Sequence, residues 1–281
     1  MYISINNELY LKEDAKISVS DLSIQRGYGI FDFLKTINNK PIFIENYLDR
    51  FYNSAREMNL EVELNREQLR NSIQKLIEKN DIPNSGIKII LTGGYSEDGY
   101  TMIKPNLVII QTPLDINEIL PEQGIALVSY NHQRQLPHVK TIDYLQAIRL
   151  QKFVRENHAD DLLYHNNGLV RECPRANFFI ITDSEIITAK NEILNGITRS
   201  KILSLDLPNH TFAERDFTLA EVYNAKEAFI SSSTKNAFPI YKVDGKLIGD
   251  GKNEITSRIN EKLLALIALD QMVEYMPLAD K

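Results

Sequence analysis

One cysteine, Cys173, in 281 residues leaves no internal disulfide framework and fits a reducing compartment. Positive charge is also short. Lys and Arg number 32 against 38 Asp and Glu, a formal net charge of −6 with both signs interspersed. A nucleic-acid-binding face needs a local excess of Lys and Arg, so that class is disfavoured. No apolar run approaches the ~20 residues that a membrane-spanning helix needs. Residues 1–20 carry Glu8, Lys12, Glu13, Asp14 and Lys16 and no continuous apolar core, so the expectation is a cytoplasmic chain without a secretory signal. P-loop, G-x-G-x-x-G, H-E-x-x-H and G-x-S-x-G motifs are all missing. The histidines (His132, His138, His158, His165, His210) show no metal-ligand spacing, so no protein-ligated metal is expected. At 43% hydrophobic and 25% charged residues, what remains is a globular chain long enough for one large domain or two ordinary ones.

The patterning favours two. "MYISINNELYL" reads as a hairpin turning at Asn6-Asn7, and "FDFLKTINNKPIFI" as another turning at Asn38-Asn39. Two helices follow, one placing Tyr47, Phe51, Ser54 and Ala55 on one stripe, the other Leu69, Ile73, Leu76 and Ile77. "GIKIILTGG" and "NLVIIQT" are strands around a glycine-rich, charged loop. Prolines and acids in "PLDINEILPEQG" mark a linker over about 113–122. Beyond it come strand "IALVSYN", a loop containing Lys140, a helix over roughly 142–157 and a strand near "DLLYHN" turning at Asn166-Asn167-Gly168. Strands "ANFFIIT" and "EIITA", a loop into a helix at "NEILNGITRSKILSL", a strand with a hydroxyl-rich turn at "EAFISSSTKNAFPI" and a C-terminal amphipathic helix complete the chain. The expected organisation is an α+β pair of domains, 1–115 and 123–281, without internal repeats.

Several stretches could carry chemistry, and each has an ordinary reading beside it. Gly196 precedes a helical pattern, so the amides of Ile197 and Thr198 could hold an anion, or Thr198 could simply cap the helix. Ser232, Ser233 and Thr234 could ligate a phosphate or form a polar loop. Glu172, ahead of an apolar strand, is either a buried site carboxylate that needs a partner or a strand-end acid paired with Arg171.

In combination and order these pieces are more informative. An arginine in "YLDRFYNSA", a loop lysine in "HVKTIDYLQA", a glutamate before a strand, Gly-Ile-Thr at a helix start and a Ser/Thr turn run over nearly the whole chain. The pattern resembles the class IV (fold-type IV) pyridoxal-phosphate-dependent aminotransferases, a family that spans branched-chain aminotransferases, D-amino acid aminotransferases and aminodeoxychorismate lyase. The resemblance implies a two-domain, D-amino acid aminotransferase-like fold with pyridoxal 5′-phosphate as cofactor. It implies that Lys140 forms the Schiff base with the cofactor aldehyde and moves the proton. By the same resemblance Glu172 pairs with the pyridine nitrogen, Arg50 binds the phosphate, and Gly196, Ile197, Thr198, Ser232, Ser233 and Thr234 surround that phosphate. Leu194 matches the residue against the ring face. Tyr144, four residues after Lys140, is a further cofactor contact; branched-chain enzymes often carry a tyrosine one residue later.

Substrate recognition departs from the family's patterns. Gly93 in "LTGG" stands where D-amino acid enzymes usually carry an arginine, and the strand reads "IKII" where branched-chain enzymes usually carry one. A buried substrate carboxylate still needs a cation. Arg26 and Arg175 are the candidates, with Arg134 behind them and a structural salt bridge as the other reading of each. Phe31 matches a family pocket aromatic; Tyr95 and Phe33 could join it or be plain packing. The implied activity moves an amino group between an amino acid, L-branched-chain type or D, and a 2-oxo acid such as 2-oxoglutarate. The alternative is the lyase, releasing pyruvate and 4-aminobenzoate. A homodimer with active sites near its interface, small-molecule substrates and no nucleic-acid or membrane partner complete the expectation.

Overall fold

The computed structural model describes residues 1–116, 119–121 and 123–272. The chain divides into two compact units: Met1–Ile116 with Val139–Asp143 and Ile267–Lys281, and Asn117–His138 with Tyr144–Leu266.

The first unit opens with the hairpin β1 (Tyr2–Ile5) and β2 (Glu8–Leu11). A short helix α1 (Leu22–Arg26) follows, then β3 (Gly29–Ile37) and β4 (Lys40–Pro41). Asn6 and Asn7 (φ 50° and 69°) and Asn38 and Asn39 (φ 51° and 61°) are both left-handed. That is the two-residue turn whose twist matches paired strands, and asparagine tolerates it. Helices α2 (Ile44–Glu57) and α3 (Arg66–Asn80) come next, then β5 (Ser85–Thr92) and β6 (Leu107–Pro113). Asn65 and Gln68 close a capping box on α3. The strands form a mixed-order sheet, β2-β1-β6-β5-β3-β4, with every pairing antiparallel. On one face Ile30, Leu34, Ile87, Ile89 and Ile109 are fully buried, as are Leu48, Phe51, Leu69 and Ile73 on the helices.

The second unit begins with β7 (Ile125–Asn131), α4 (Leu145–Arg149) and α5 (Gln151–Glu156). Then come β8 (Asp161–Asn166), β9 (Leu169–Val170), β10 (Glu172–Cys173), β11 (Ala176–Ile181) and β12 (Glu185–Thr188). Helix α6 (Ile197–Leu203), β13 (Thr211–Glu214), α7 (Leu219–Tyr223), β14 (Glu227–Ser232), β15 (Asn236–Val243) and β16 (Lys246–Leu247) follow. The main path of its sheet is β13-β12-β11-β14-β15-β7-β8-β9, with β10 beside β11 and β16 beside β15. Leu163, Phe178, Ile180, Ile187, Val222, Ala228 and Val243 are the fully buried centre of its core. The last helix, α8 (Glu254–Met272), starts against Glu227, whose carboxylate accepts from the amides of Ile255 and Thr256 (both 2.8 Å) and the Thr256 hydroxyl (2.7 Å). Its residues from Ile267 cluster with the first unit, where Asp270 accepts the Phe43 amide at 2.7 Å.

This division differs from the sequence expectation of 1–115 and 123–281. The chain crosses into the second unit at Ile116–Asn117, inside the expected linker, but Val139–Asp143 returns to the first. Backbone pairing is the reason. Phe31 donates its amide to the Lys140 carbonyl (2.9 Å), Ile142 donates to Gly29 (3.1 Å), and Thr141 bridges Ile30. That extended segment also delays the helix expected from 142, which begins at Leu145. Among the described residues no helix is long and apolar enough to cross a membrane, and no His/Cys/Asp/Glu cluster could hold a metal. Phe51 fills the interior where α2 packs on β3, so Phe51→Ala should lower unfolding free energy by ~3–5 kcal/mol in urea titration; a change below about 1 kcal/mol would contradict this packing.

Candidate active site

In the first unit the site starts from a buried acid. Asp32 sits on the apolar face of β3 between Ile30 and Leu34 and is 0% exposed. A lone carboxylate there would be strongly unfavourable, so it demands a cation. Arg50 on α2 supplies it through two hydrogen bonds, Nε to Oδ2 at 2.9 Å and Nη2 to Oδ1 at 2.6 Å. The Phe33 amide also donates to Oδ1, at 2.7 Å. Arg50 stands one turn from Tyr47, its guanidinium carbon 5.4 Å from that ring, and its Nη1 side lies outside the Asp32 pair. One turn further along α2, the buried Ser54 hydroxyl accepts the Lys140 amide at 3.4 Å. Thus α2 presents Arg50 and Ser54 at i and i+4, one to the sheet and one to the lysine segment.

Lys140 is held by its backbone on both sides, through Phe31 and Ser54. Its Nζ lies 4.6 Å from the Phe31 ring centroid. Gly29 makes the close strand approach here: a Cβ on it would meet the Leu91 carbonyl at 2.8 Å and the Ile142 side chain at 3.2 Å.

In the second unit the site is a cross-strand row. Glu172 on β10 pairs with Asn177 on β11, and Asn177 pairs with Ser231 on β14. Glu172 is buried. Its Oε1 accepts from Arg134 at 2.9 Å, and its Oε2 accepts from the Leu194 amide at 3.0 Å and more weakly from Asn177 at 3.5 Å. Arg134 also donates to the Pro137 carbonyl at 3.1 Å, which ties down the loop ahead of Lys140. Asn177 donates to the Leu194 carbonyl at 2.7 Å, so one asparagine and one glutamate hold both backbone groups of Leu194. Two residues on, Gly196 lies against Asn177, where a Cβ would be 2.1 Å from the Asn177 Oδ1. Gly196 caps α6 without a side chain, and Ile197 and Thr198 are buried in its first turn. Ser231 is 2% exposed and its hydroxyl makes no hydrogen bond among the described residues. Beyond it, Ser232 contacts the Thr234 hydroxyl (3.4 Å) and accepts the Lys235 amide (3.2 Å), shaping the turn that contains Ser233. Burial pushes the neighbouring Tyr164 phenol well above its ordinary value, with Asp161 adding to the shift. Burial likewise raises the Cys173 thiol, which keeps it a neutral core group.

Each unit therefore gathers a set of the residues expected from sequence: Lys140, Arg50 and Phe31 in one, Glu172, Leu194, Gly196, Ile197, Thr198 and the Ser232–Thr234 turn in the other. Tyr144 is half-buried at the start of α4, where its carbonyl accepts the Ile148 amide at 3.0 Å. The proposed carboxylate cations lie in exposed settings. Arg175 is 71% exposed and pairs with Asp161 at 3.3 Å, and the exposed Arg26 donates to the carbonyl of Gln25. Tyr95 is 42% exposed, bridged to Asp21; Phe33 lies across Gly86. Arg134, a carboxylate candidate on sequence, is engaged by Glu172. Sequence reading missed Asp32, Ser54 and Asn177. Asp32 had a signal, since strand alternation in "IFDFL" puts an acid on the Ile30–Leu34 face. Ser54 and Asn177 had none, because their roles depend on partners distant in the chain.

The family description "Amino-transferase class IV" matches residues 29–243. A D-alanine aminotransferase of Listeria monocytogenes is 29% identical over 273 residues, covering 93% of this chain and 94% of that one. A putative branched-chain-amino-acid aminotransferase of Methanocaldococcus jannaschii is 26% identical over 277 residues, covering 93% and 95%. Among solved structures, the branched-chain amino acid aminotransferase from Escherichia coli superposes with a TM-score of 0.87 at 22% identity, covering 98% of this chain and 97% of that one; it shares the fold.

Removing Asp32 should leave the mostly buried Arg50 uncompensated. Asp32→Ala is expected to cost ~3–5 kcal/mol in chemical denaturation, and Asp32→Asn less. Wild-type stability in both variants would show that the pair is dispensable.

Proposed function

The chain belongs to the class IV aminotransferase family, and from that premise we propose that it is a pyridoxal-phosphate-dependent transaminase. It moves an amino group between an amino acid, branched-chain type L or D, and a 2-oxo acid such as 2-oxoglutarate. The observation that carries the reading is Glu172, a buried carboxylate with both oxygens oriented by protein donors and its charge balanced by Arg134. Such an acid suits the protonated nitrogen of a pyridine ring.

The residues present fit the cofactor. The Ser231 hydroxyl, with no hydrogen-bond partner among the described residues, lies in the same cross-strand row as Glu172, and Gly196 leaves room for the Asn177 amide that a Cβ would displace. Bound pyridoxal 5′-phosphate would supply an electron sink for the carbanion formed at the substrate α-carbon. Lys140 would hold the cofactor through its amine, and the same amine would move the proton to and from the substrate α-carbon. Glu172 would hold the ring nitrogen and Leu194 would pack against the ring. In the first unit Arg50 would bind the phosphate, with Asp32 keeping the guanidinium plane fixed; for the second unit the same role is proposed for Gly196, Ile197, Thr198, Ser232, Ser233 and Thr234. Tyr144 is a further contact to the cofactor.

The protein acts as a homodimer in this reading. Tyr100 and Ile103, 85% and 65% exposed on the loop after β5, give the first unit apolar surface for a second copy.

Visible absorbance tests the activity. Purified protein with pyridoxal 5′-phosphate should show the band of a lysine-bound cofactor, and single L- or D-amino acids should convert it to the pyridoxamine form. Lys140→Ala should abolish the covalent band. No band in wild type sinks the reading, and pyruvate released without an amino acceptor would replace it with the lyase.

A further inference from the structure

Beside the lysine amine, the first unit holds a cation with no counter-charge among the described residues. Lys88 is in the middle of β5, directly across from Phe33 on β3 and Ile110 on β6, both apolar. Alternation places it on the sheet face of Phe31 and Phe33, opposite the face that buries Ile87 and Ile89. Phe33 lies flat across β5 at Gly86, where a Cβ would be 2.3 Å from its ring. That side of Lys88 is filled. Its ammonium instead leans diagonally to Phe31, 5.8 Å from the ring centroid, and the same ring has the Lys140 Nζ at 4.6 Å. Lys88 makes no ion pair and no hydrogen bond among the described residues. An anion entering beside the ring is attracted by the Lys88 ammonium.

We propose that Lys88 binds the α-carboxylate of the amino acid and oxo acid substrates. The proposal rests on the transaminase reading. In every such substrate the carboxylate is one bond from the carbon that gains or loses the amine, so its cation belongs close to the amine-bearing lysine. Lys88 is exposed as Arg26 and Arg175 are, but it stands on a central strand beside the Lys140 ring contact, whereas those two arginines have other partners. A lysine is a point charge on a flexible stem and does not impose the fork geometry of arginine. It can therefore serve on the strand where the branched-chain pattern has an arginine and this chain reads "IKII".

The test compares an unreactive carboxylate with its uncharged isostere. Binding of 4-methylvalerate and of 4-methylvaleramide to the cofactor-loaded protein is measured by calorimetry, in wild type, Lys88→Ala and Lys88→Arg. Wild type should favour the acid by about tenfold or more. Lys88→Ala should bring the acid down to the affinity of the amide without changing the amide, and Lys88→Arg should restore the preference. An acid preference that survives Lys88→Ala, or is absent from wild type, overturns the proposal. Steady-state rates separate substrate carboxylates: Lys88→Ala should lower kcat/KM for alanine and glutamate alike, and a loss confined to glutamate would place Lys88 on the side chain and overturn the α-carboxylate assignment. Amino-acid conversion of the visible band tests the transaminase reading independently.

Discussion

A carboxylate with no access to water, Asp32, is the constraint on which the first unit's chemistry depends. Its desolvation is offset by a cation in bidentate contact, beside the Phe33 amide, so α2 docks on β3 with Arg50 at the acid. That docking fixes the helix about its axis. Ser54, one turn on, then faces the Lys140 amide, and Phe31, next to Asp32 in the strand, takes the Lys140 carbonyl. One buried charge pair thereby sets Arg50 and the Lys140 backbone together. Replacing the pair by apolar residues could serve stability as well, but would remove the device that orients both.

The second unit reaches the same rigidity through strand register. Glu172, Asn177 and Ser231 are placed in one row by antiparallel pairing, and a shift of one residue would turn each to the other face. The row also reaches the loop before α6. Glu172 and Asn177 hold the amide and carbonyl of Leu194, and Asn177 excludes any side chain at position 196. Arg134 joins the acid from the preceding loop. Groups whose own backbones are fixed in this way keep their side chains in set directions.

Substrate recognition is where this chain departs from the two familiar arginine patterns. Gly93 removes one of them, and Arg175 and Arg26 have other partners. Lys88 differs from both arginines in its setting: strand β5 gives it position, Phe31 gives its ammonium direction, and it has no acid paired with it among the described residues.

Much of this was legible along the chain. Hairpin turns at Asn6-Asn7 and Asn38-Asn39, the stripes of α2 and α3, and β7 over Ile125–Asn131 follow from interactions within a few residues, which local order in the sequence encodes directly. The glycine at 196 and the ordered set Arg50, Lys140 and Glu172 were also visible there, as was the two-domain α+β class. The sequence alone did not show that Val139–Asp143 leaves the second unit to pair with β3, that Arg134 serves Glu172 and Arg50 serves Asp32, or that Lys88 and Lys140 share one ring. Such pairings join residues tens of positions apart. Strand register and helix docking choose among many cations for each acid, so only the tertiary structure decides them.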